Sequence, residues 1–261
     1  MLYIVRVKKN FEKVRLDKLL LERGLAASRE RAQALILAGS VLVDEQKISK
    51  AGTLVSSSAA LRLLGEDLKY VSRGGLKLER ALDHWGLVVT GSLCLDIGTS
   101  TGGFTDCLLQ RGARRVIAVD TGHGQIAFKL RQDSRVHLLE KTNARYLTRE
   151  QLGGEPVDLI AVDVSFISAT LVLPPVVSAA FPDTTSPPAG RRLIVLVKPQ
   201  FEAGREKIAK GGIVRDSEAH SQAIQRVRDC VLGLGALSSD VIDSPILGAE
   251  GNREFLLLAQ F

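Results

Sequence analysis

Cysteine is scarce in this sequence: Cys94, Cys107 and Cys230 are the only three in 261 residues. They form no C-x-x-C pair and show no metal-ligand spacing, so neither a disulfide framework nor a zinc site is expected. Long apolar runs are missing as well. The most membrane-like stretch, Val157 to Phe181, is interrupted by Asp158, Asp163 and Pro174-Pro175, and it falls short of the roughly 18 consecutive apolar residues a spanning helix needs. The first ten residues, MLYIVRVKKN, carry Arg6, Lys8 and Lys9 and lack the uninterrupted apolar core of a secretory signal. No membrane association and a reducing, cytoplasmic setting are therefore expected.

Net charge is missing from most of the chain. Residues 65 to 261 carry 23 Lys+Arg and 23 Asp+Glu, while residues 1 to 64 carry 12 and 6, so the whole excess of +6 lies in the first quarter. A small basic module joined to a neutral body points to a polyanion-docking arm on a catalytic domain. The length suits one large α/β domain plus a small one. With 45% hydrophobic and 25% charged residues, the composition is that of an ordinary globular protein.

What is present centres on Leu93 to Thr105, LCLDIGTSTGGFT. A short apolar run containing Asp96 breaks into Gly98, Gly102 and Gly103 before an amphipathic segment, the pattern of a strand, a glycine turn and a helix start. The spacing matches neither G-x-G-x-x-G nor the triphosphate loop G-x-x-x-x-G-K-[ST], and no lysine follows. D-x-G-x-x-x-G is instead the usual first motif of S-adenosylmethionine-dependent methyltransferases. The glycines alone fit an ordinary strand-to-helix turn equally well. A second apolar strand, Arg115 to Asp120, closes on an acid 24 residues after Asp96. An acid there can bond the ribose hydroxyls of an adenosine group, or it can serve as a helix cap.

Taken in order, residues 1 to 13 form a lead-in whose alternating Tyr3, Val5 and Val7 suggest an edge strand. Leu16, Leu19, Leu20 and Arg23 outline a helix stopped by Gly24, and Ser28 caps a second helix carrying Ala32, Leu35 and Ile36 and ended by Gly39. Val41-Val43 and Ile48 read as a hairpin around Asp44-Glu45-Gln46, without the glycine that a tight type I′ turn favours. Residues 65 to 74 read as a linker. Leu78, Ala81, Leu82 and Trp85 then repeat at helical spacing, leaving Lys77 off the apolar face, where a solvent-facing position is the ordinary expectation. Helices are expected over Gly103–Arg111, Gln125–Arg131 and Glu218–Leu232. Strands are expected over Val136–Glu140, Val157–Val162, Leu193–Val197, around Val241-Ile242 and over Phe255–Phe261. Asn143, in the polar turn after the third strand, is placed to bond an adenine edge or simply to satisfy its own turn. Asp163 and Lys198 end strands on the rim that carries Asp96 and Asp120, where open α/β sheets bind ligands. Pro182 to Gly190 and Glu202 to Arg215 read as loops.

Over about 40 positions the N-terminal segment resembles the RNA-binding α-L domain named after small-subunit ribosomal protein S-four. The matching residues include Arg15-Leu16-Asp17, Gly24-Leu25, Ser28-Arg29, Val41-Leu42-Val43 and Lys50-Ala51-Gly52. The resemblance implies that Arg15, Lys18, Arg29, Arg31, Lys47 and Lys50 face structured RNA, with phosphate contacts rather than base readout.

Six ordered motifs extend the resemblance over almost the whole chain: Ser72 to Leu78, Asp96 to Thr105, Thr142 to Arg145, Asp163 to Ser168, Lys198 to Glu202 and Gly251 to Glu254. Together they resemble the TlyA family, often labelled hemolysin A, which couples that RNA-binding domain to an FtsJ-like ribosomal RNA ribose 2′-O-methyltransferase domain. The resemblance implies an α/β architecture: a Rossmann-like seven-stranded sheet, mostly parallel with an antiparallel last strand, behind a small N-terminal α/β domain. Domain bounds of 14 to 64 and 75 to 261 follow. It implies S-adenosylmethionine as cofactor, held by Asp96, Gly98, Ser100, Gly102, Gly103, Phe104, Asp120, Asn143 and Asp163. The partner implied is ribosomal RNA within ribosomal subunits, cytidine being the target nucleotide, and a monomer is expected.

The same resemblance implies a catalytic set of Lys77, Asp163, Lys198 and Glu254. A ribose hydroxyl is a poor nucleophile that must be positioned and relieved of its proton. Lys198 is the candidate for that contact, Asp163 orients it, and Lys77 and Glu254 complete the network or hold the nucleotide; no metal is required. Thr99, where the cofactor loop often has Ala, and His123, where Tyr is common, depart from the family pattern. The alternatives are a non-catalytic ribosome-binding factor, which the intact catalytic set argues against, and a membrane-active hemolysin, which the missing apolar spans argue against.

Overall fold

The computed structural model describes residues 12–26, 28–63, 69–181, 190–202, 212–248 and 251–261. The edge strand expected before residue 12, the loop over 182–189, most of the loop after Glu202 and part of the linker and of the Gly248–Glu254 turn lie outside the described residues. The chain divides into two compact units, Met1–Asp67 and Leu68–Phe261.

In the smaller unit, β1 (Lys13–Arg15) leads into α1 (Leu16–Glu22) and α2 (Arg29–Leu37), followed by β2 (Val41–Val43), β3 (Gln46–Lys47), β4 (Leu54–Ser56) and β5 (Leu61–Leu63). The Ser28 hydroxyl accepts the Arg31 N–H at 3.1 Å, the expected cap of α2. Leu16, Leu19, Leu20, Ala32, Leu35 and Ile36 face one another and the strands Val41–Val43 in a small core. β2 lies between β3 and β5, and β1 pairs with β4, all antiparallel. The hairpin closes with Leu42 opposite Lys47 and Val43 opposite Gln46, leaving a two-residue turn in which Asp44 (φ 48°) and Glu45 (φ 64°) are both left-handed. The tight turn that the missing glycine made unfavourable forms nonetheless. Asp44 Oδ1 accepts the Ala60 N–H at 2.9 Å and Glu45 forms a two-pronged ion pair with Arg62, so partners on the β5 side hold the strained backbone.

The larger unit runs α3 (Gly74–His84), β6 (Leu93–Ile97), α4 (Gly103–Gln110), β7 (Arg115–Val119), α5 (Phe128–Arg131), β8 (Val136–Leu139), β9 (Leu159–Val162), α6 (Leu173–Ala180), β10 (Arg192–Val197), α7 (Pro199–Glu202), α8 (Ser217–Gly233), β11 (Ser238–Asp243) and β12 (Phe255–Gln260). Its seven strands are ordered β11-β12-β10-β9-β6-β7-β8, and β12 runs antiparallel to both its neighbours while the other pairs are parallel. The period-2 alternation of strand residues separates two cores. Leu93, Leu95, Ile97, Ile160 and Val162 pack with α6 and α8 on one face, while Cys94, Leu159 and Ala161 pack with α3 and α4 on the other.

Two expectations are corrected in extent. The helix expected over Gln125–Arg131 begins only at Phe128, because the Ala127 N–H is drawn to the Thr101 carbonyl at 3.1 Å. Tyr70, within the expected linker, is buried in the core of the larger unit, and the Val71 N–H donates to Asp106 Oδ2 at 2.8 Å.

Candidate active site

β6 is followed by β7 and β8 on one side of the sheet, whereas β9 returns to its other side. The carboxyl ends of β6 and β9 therefore flank a crevice of the kind in which open α/β sheets bind ligands. Gly98 leaves β6 with φ 86°, and a Cβ there would lie 2.4 Å from the Asp163 carbonyl oxygen. Only glycine lets the two strand ends approach so closely. Gly102 (φ 98°) turns the chain into α4.

Two cavities share Gly98, Ser100 and Asp163. The larger, about 530 Å³, runs over Asp120, Asn143 and Arg145 to Phe166. The smaller, about 240 Å³, is walled by Ser72, Arg73, Lys77, Gly103, Phe104 and Leu247. Of the residues expected to hold cofactor, Gly98, Ser100, Gly103, Phe104, Asp120, Asn143 and Asp163 line these spaces. Asp120 accepts the Ser100 N–H at 2.7 Å and the Gly122 N–H at 2.6 Å, so one carboxylate staples the glycine loop to the next strand end. The Asn143 side chain accepts the Arg145 N–H at 3.1 Å, which makes it the cap of its own turn while it lines the cavity.

Asp96 and Gly102 line neither cavity. A Cβ on Gly102 would meet Leu130 Cδ1 at 2.3 Å, so its place is in packing. Asp96 is fully buried; Thr105 Oγ1 donates to its Oδ2 at 2.6 Å and its Oδ1 has no hydrogen-bond partner. Burial pushes its carboxyl up to about 7, against the Thr105 bond that favours ionisation. Thr99 also turns inward, bonding the Asp96 carbonyl at 3.2 Å, and His123 sits 3.0 Å from Glu140.

The four expected catalytic residues form two ion pairs. Lys77 Nζ donates to Glu254 Oε2 at 2.5 Å, across 177 residues of sequence, and both side chains are almost wholly buried. The solvent-facing position expected for Lys77 from helical spacing alone is thereby corrected: α3 turns that side toward β12, not water. Lys198 Nζ lies 2.6 Å from Asp163 Oδ1, as an ion pair by distance although not aligned as a hydrogen bond. It donates its aligned bond to Ser165 Oγ, at 2.7 Å. Both lysine heads are thus held at strand ends, next to the loop after β9.

Three contributors lie within motifs quoted from the sequence that gave them no role of their own. Ser165 fixes Lys198. Phe166 is 92% exposed at the lip of the larger cavity, has φ 66°, and lies 5.5 Å from the Phe201 ring. An apolar ring at that exposure in a left-handed conformation is the signal, and it is invisible without coordinates. In the smaller unit, buried Asp17 accepts Arg15 Nε and Nη2 at 3.0 and 2.9 Å, Arg29 Nε at 3.0 Å and Gln33 Nε2 at 2.9 Å. These donors hold its carboxyl well below the usual range. Two of the expected RNA-facing arginines are thereby fixed side by side. Lys18 pairs with Glu22 at 3.4 Å, Lys47 and Lys50 are exposed, and Arg31 is half-buried.

The FtsJ-like methyltransferase model matches residues 70–261 and the S4 domain model residues 14–61. The chain belongs to the TlyA branch of the FtsJ-like methyltransferase family. The 16S/23S rRNA (cytidine-2′-O)-methyltransferase TlyA of Mycobacterium tuberculosis is 44% identical over 94% of this chain and 89% of its own. Hemolysin A of Brachyspira hyodysenteriae is 39% identical over 93% of this chain and 98% of its own. A solved chain from Streptococcus thermophilus, described as a candidate hemolysin, superposes with a TM-score of 0.69 at 41% identity, covering 96% of this chain and 89% of that one. Among the described residues no helix is long and apolar enough to cross a membrane. In this TlyA-branch chain the two ion pairs and the glycine crevice all belong to the methyltransferase unit, and the Asp17 cluster belongs to the S4 unit.

Proposed function

We propose that this chain is an S-adenosylmethionine-dependent methyltransferase acting in the cytoplasm on a ribose 2′-hydroxyl, that of a cytidine, in ribosomal RNA within ribosomal subunits. Residues 14 to 64 dock the RNA and residues 75 to 261 carry the chemistry. The observation that supports this most is the pairing of Lys198 with Asp163 at the crevice where Gly98 permits the closest approach of two strand ends.

The cradle fits the cofactor. Two spaces that share Gly98, Ser100 and Asp163 in their walls, with Asp120 at the end of β7, suit an adenosyl group in the larger and an amino-acid group in the smaller. S-adenosylmethionine, when bound, supplies a methyl group on a positively charged sulfur, an electrophile that needs no metal to activate it. Lys198 contacts the 2′-hydroxyl and, in the amine form that has a free lone pair, takes up its proton, while Asp163 and Ser165 fix the direction of Nζ. Lys77, neutralised by Glu254 behind it, walls the smaller cavity and positions the ribose. Phe166 presents an open ring face on which an unstacked base can rest.

The test is transfer of labelled methyl to unmodified ribosomal subunits by the intact protein and by Lys198→Ala, with the product mapped for 2′-O-methylation. Label at a single ribose, falling at least about 100-fold in the variant, is expected for removal of a proton-transfer group. Equal activity in the variant removes Lys198 from its role; a folded, cofactor-binding protein that labels no subunit favours a non-catalytic binding factor.

A further inference from the structure

We infer that Glu202, which no motif role accounts for, is the positioning residue of this site: it clamps the loop carrying Asp163, Ser165 and Phe166 against Lys198. The inference rests on the methyltransferase reading of the site.

Hydrogen bonds tie the loop after β9 at three points. At its start the Asp163 N–H donates to the Ile97 carbonyl at 2.8 Å, continuing the sheet. In its middle Ser165 accepts from Lys198. At its end both carboxylate oxygens of Glu202 are used: Oε2 accepts the Ser168 hydroxyl at 2.5 Å and Oε1 accepts the Ala169 N–H at 2.7 Å. Ser168 and Ala169 start the short helical turn on which the loop ends. Lys198 and Glu202 stand four residues apart at either end of the single turn α7, closed by the Phe201 N–H to Lys198 carbonyl bond at 2.9 Å. One rigid turn therefore grips the loop at two points. Arg226 of α8 donates to the Glu202 backbone carbonyl, anchoring the turn itself.

The location of this carboxylate is costly. Glu202 is 2% exposed, and burying an acid is tolerated where donors satisfy it, as Ser168 and Ala169 do. What the clamp opposes is visible one residue group away: Phe166 is held at φ 66°, a conformation that bulky residues adopt only when their surroundings impose it. Without Glu202 the loop keeps its sheet end and the Lys198 bond, with Val164 and Ile167 on the core and Phe166 on Phe201, but loses both hydrogen bonds at its far end, and Asp163 and Ser165 drift from Nζ. Glu202 is buried with both carboxylate oxygens already bonded within the protein, so its effect is on geometry and not on binding.

The experiment compares wild type, Glu202→Gln and Ser168→Ala in the full-length protein. Methyl transfer to unmodified subunits is followed under single turnover, together with the dissociation constant for S-adenosylhomocysteine and the melting temperature. Glutamine keeps one acceptor and turns a donor toward the other partner, and a misplacement near 1 Å costs up to about 100-fold in rate. A fall of about tenfold or more in the single-turnover rate is expected for Glu202→Gln, and several-fold for Ser168→Ala, with cofactor affinity and KM for subunits unchanged within about twofold. In a Lys198→Ala background Glu202→Gln should cost nothing further, because its effect passes through the lysine.

Unchanged rate in both variants, loss of cofactor affinity in step with rate, or a full additional loss on top of Lys198→Ala would each overturn the inference. If Glu202→Gln does not fold, Ser168→Ala decides, since it leaves the buried carboxylate its Ala169 donor. A wild-type protein that labels no subunit overturns the reading of the site and Glu202 with it; a wild type that labels beside variants that label equally overturns Glu202 alone.

Discussion

Asp96 is a carboxylic acid with no exposed surface, bonded by Thr105. Its folded-state pKa, pushed up to about 7 by burial, lies above the ordinary 3.8, so between those values the folded protein holds a proton that the unfolded chain has lost. The stability it contributes is complete below about pH 4 and drains away as pH rises toward about 7, by at most about 4 kcal/mol. Asp96→Asn keeps the acceptor for Thr105 and cannot titrate. The variant's melting temperature relative to wild type should therefore climb from pH 4 to pH 7 and then level off; a pH-independent difference would show that the carboxyl titrates normally. Phe166 presents the opposite case, an apolar side chain left in water. Stacking of one base is worth about 1–3 kcal/mol, so Phe166→Ala should lower kcat/KM for ribosomal subunits by about 5- to 150-fold, with the affinity for S-adenosylhomocysteine untouched. Phe166→Tyr should retain most activity, and an alanine variant as active as wild type would leave the exposed ring without a substrate.

Elements whose determinants are local were legible in advance. The Ser28 cap, the Gly24 and Gly39 helix ends, the strand-terminal acids and the glycine loop after β6 all follow from neighbours a few residues away. Elements held by distant partners were not. Nothing near Lys77 in sequence announces Glu254, and helical spacing alone assigns that lysine to solvent. Asp17 gathers Arg15 from β1 and Arg29 and Gln33 from α2, which local patterning reads only as scattered charge. The Asp44-Glu45 turn is misjudged for the same reason: its local cost is real, and the compensating Ala60 and Arg62 contacts come from β5 and the residues before it. That cost is measurable. Glu45→Ala loses the Arg62 pair and keeps the left-handed backbone, whereas Glu45→Gly loses the pair and relieves the strain. The glycine variant should be the more stable by about 1 kcal/mol, read from hydrogen exchange of the β2 and β3 amides; equal stabilities would mean that the turn carries no strain at residue 45.

At the scale of the molecule the division of charge is the organising fact. Residues 65 to 261 have as many acids as bases, so the crevice of the larger unit can hold a charged cofactor without the chain binding polyanions indiscriminately. In the proposed function attraction to RNA falls to the S4 unit, where Asp17 fixes Arg15 and Arg29 and where Lys18, Lys47 and Lys50 are exposed. Each phosphate contact releases counterions and steepens the fall of affinity with salt by about 0.7–0.9 in the logarithmic slope. Replacing Lys18, Arg31, Lys47 and Lys50 together by alanine should therefore flatten the slope for subunit binding by about 3, and raise KM for subunits most at low salt. The single-turnover rate at saturating subunits and the affinity for S-adenosylhomocysteine should stay as in wild type, since none of the four side chains belongs to the methyltransferase unit. An unchanged slope would instead place the docking cations on the larger unit, where overall neutrality leaves only a locally positive rim to supply them, and Arg73 and Arg145 at the two cavities would be the first to replace.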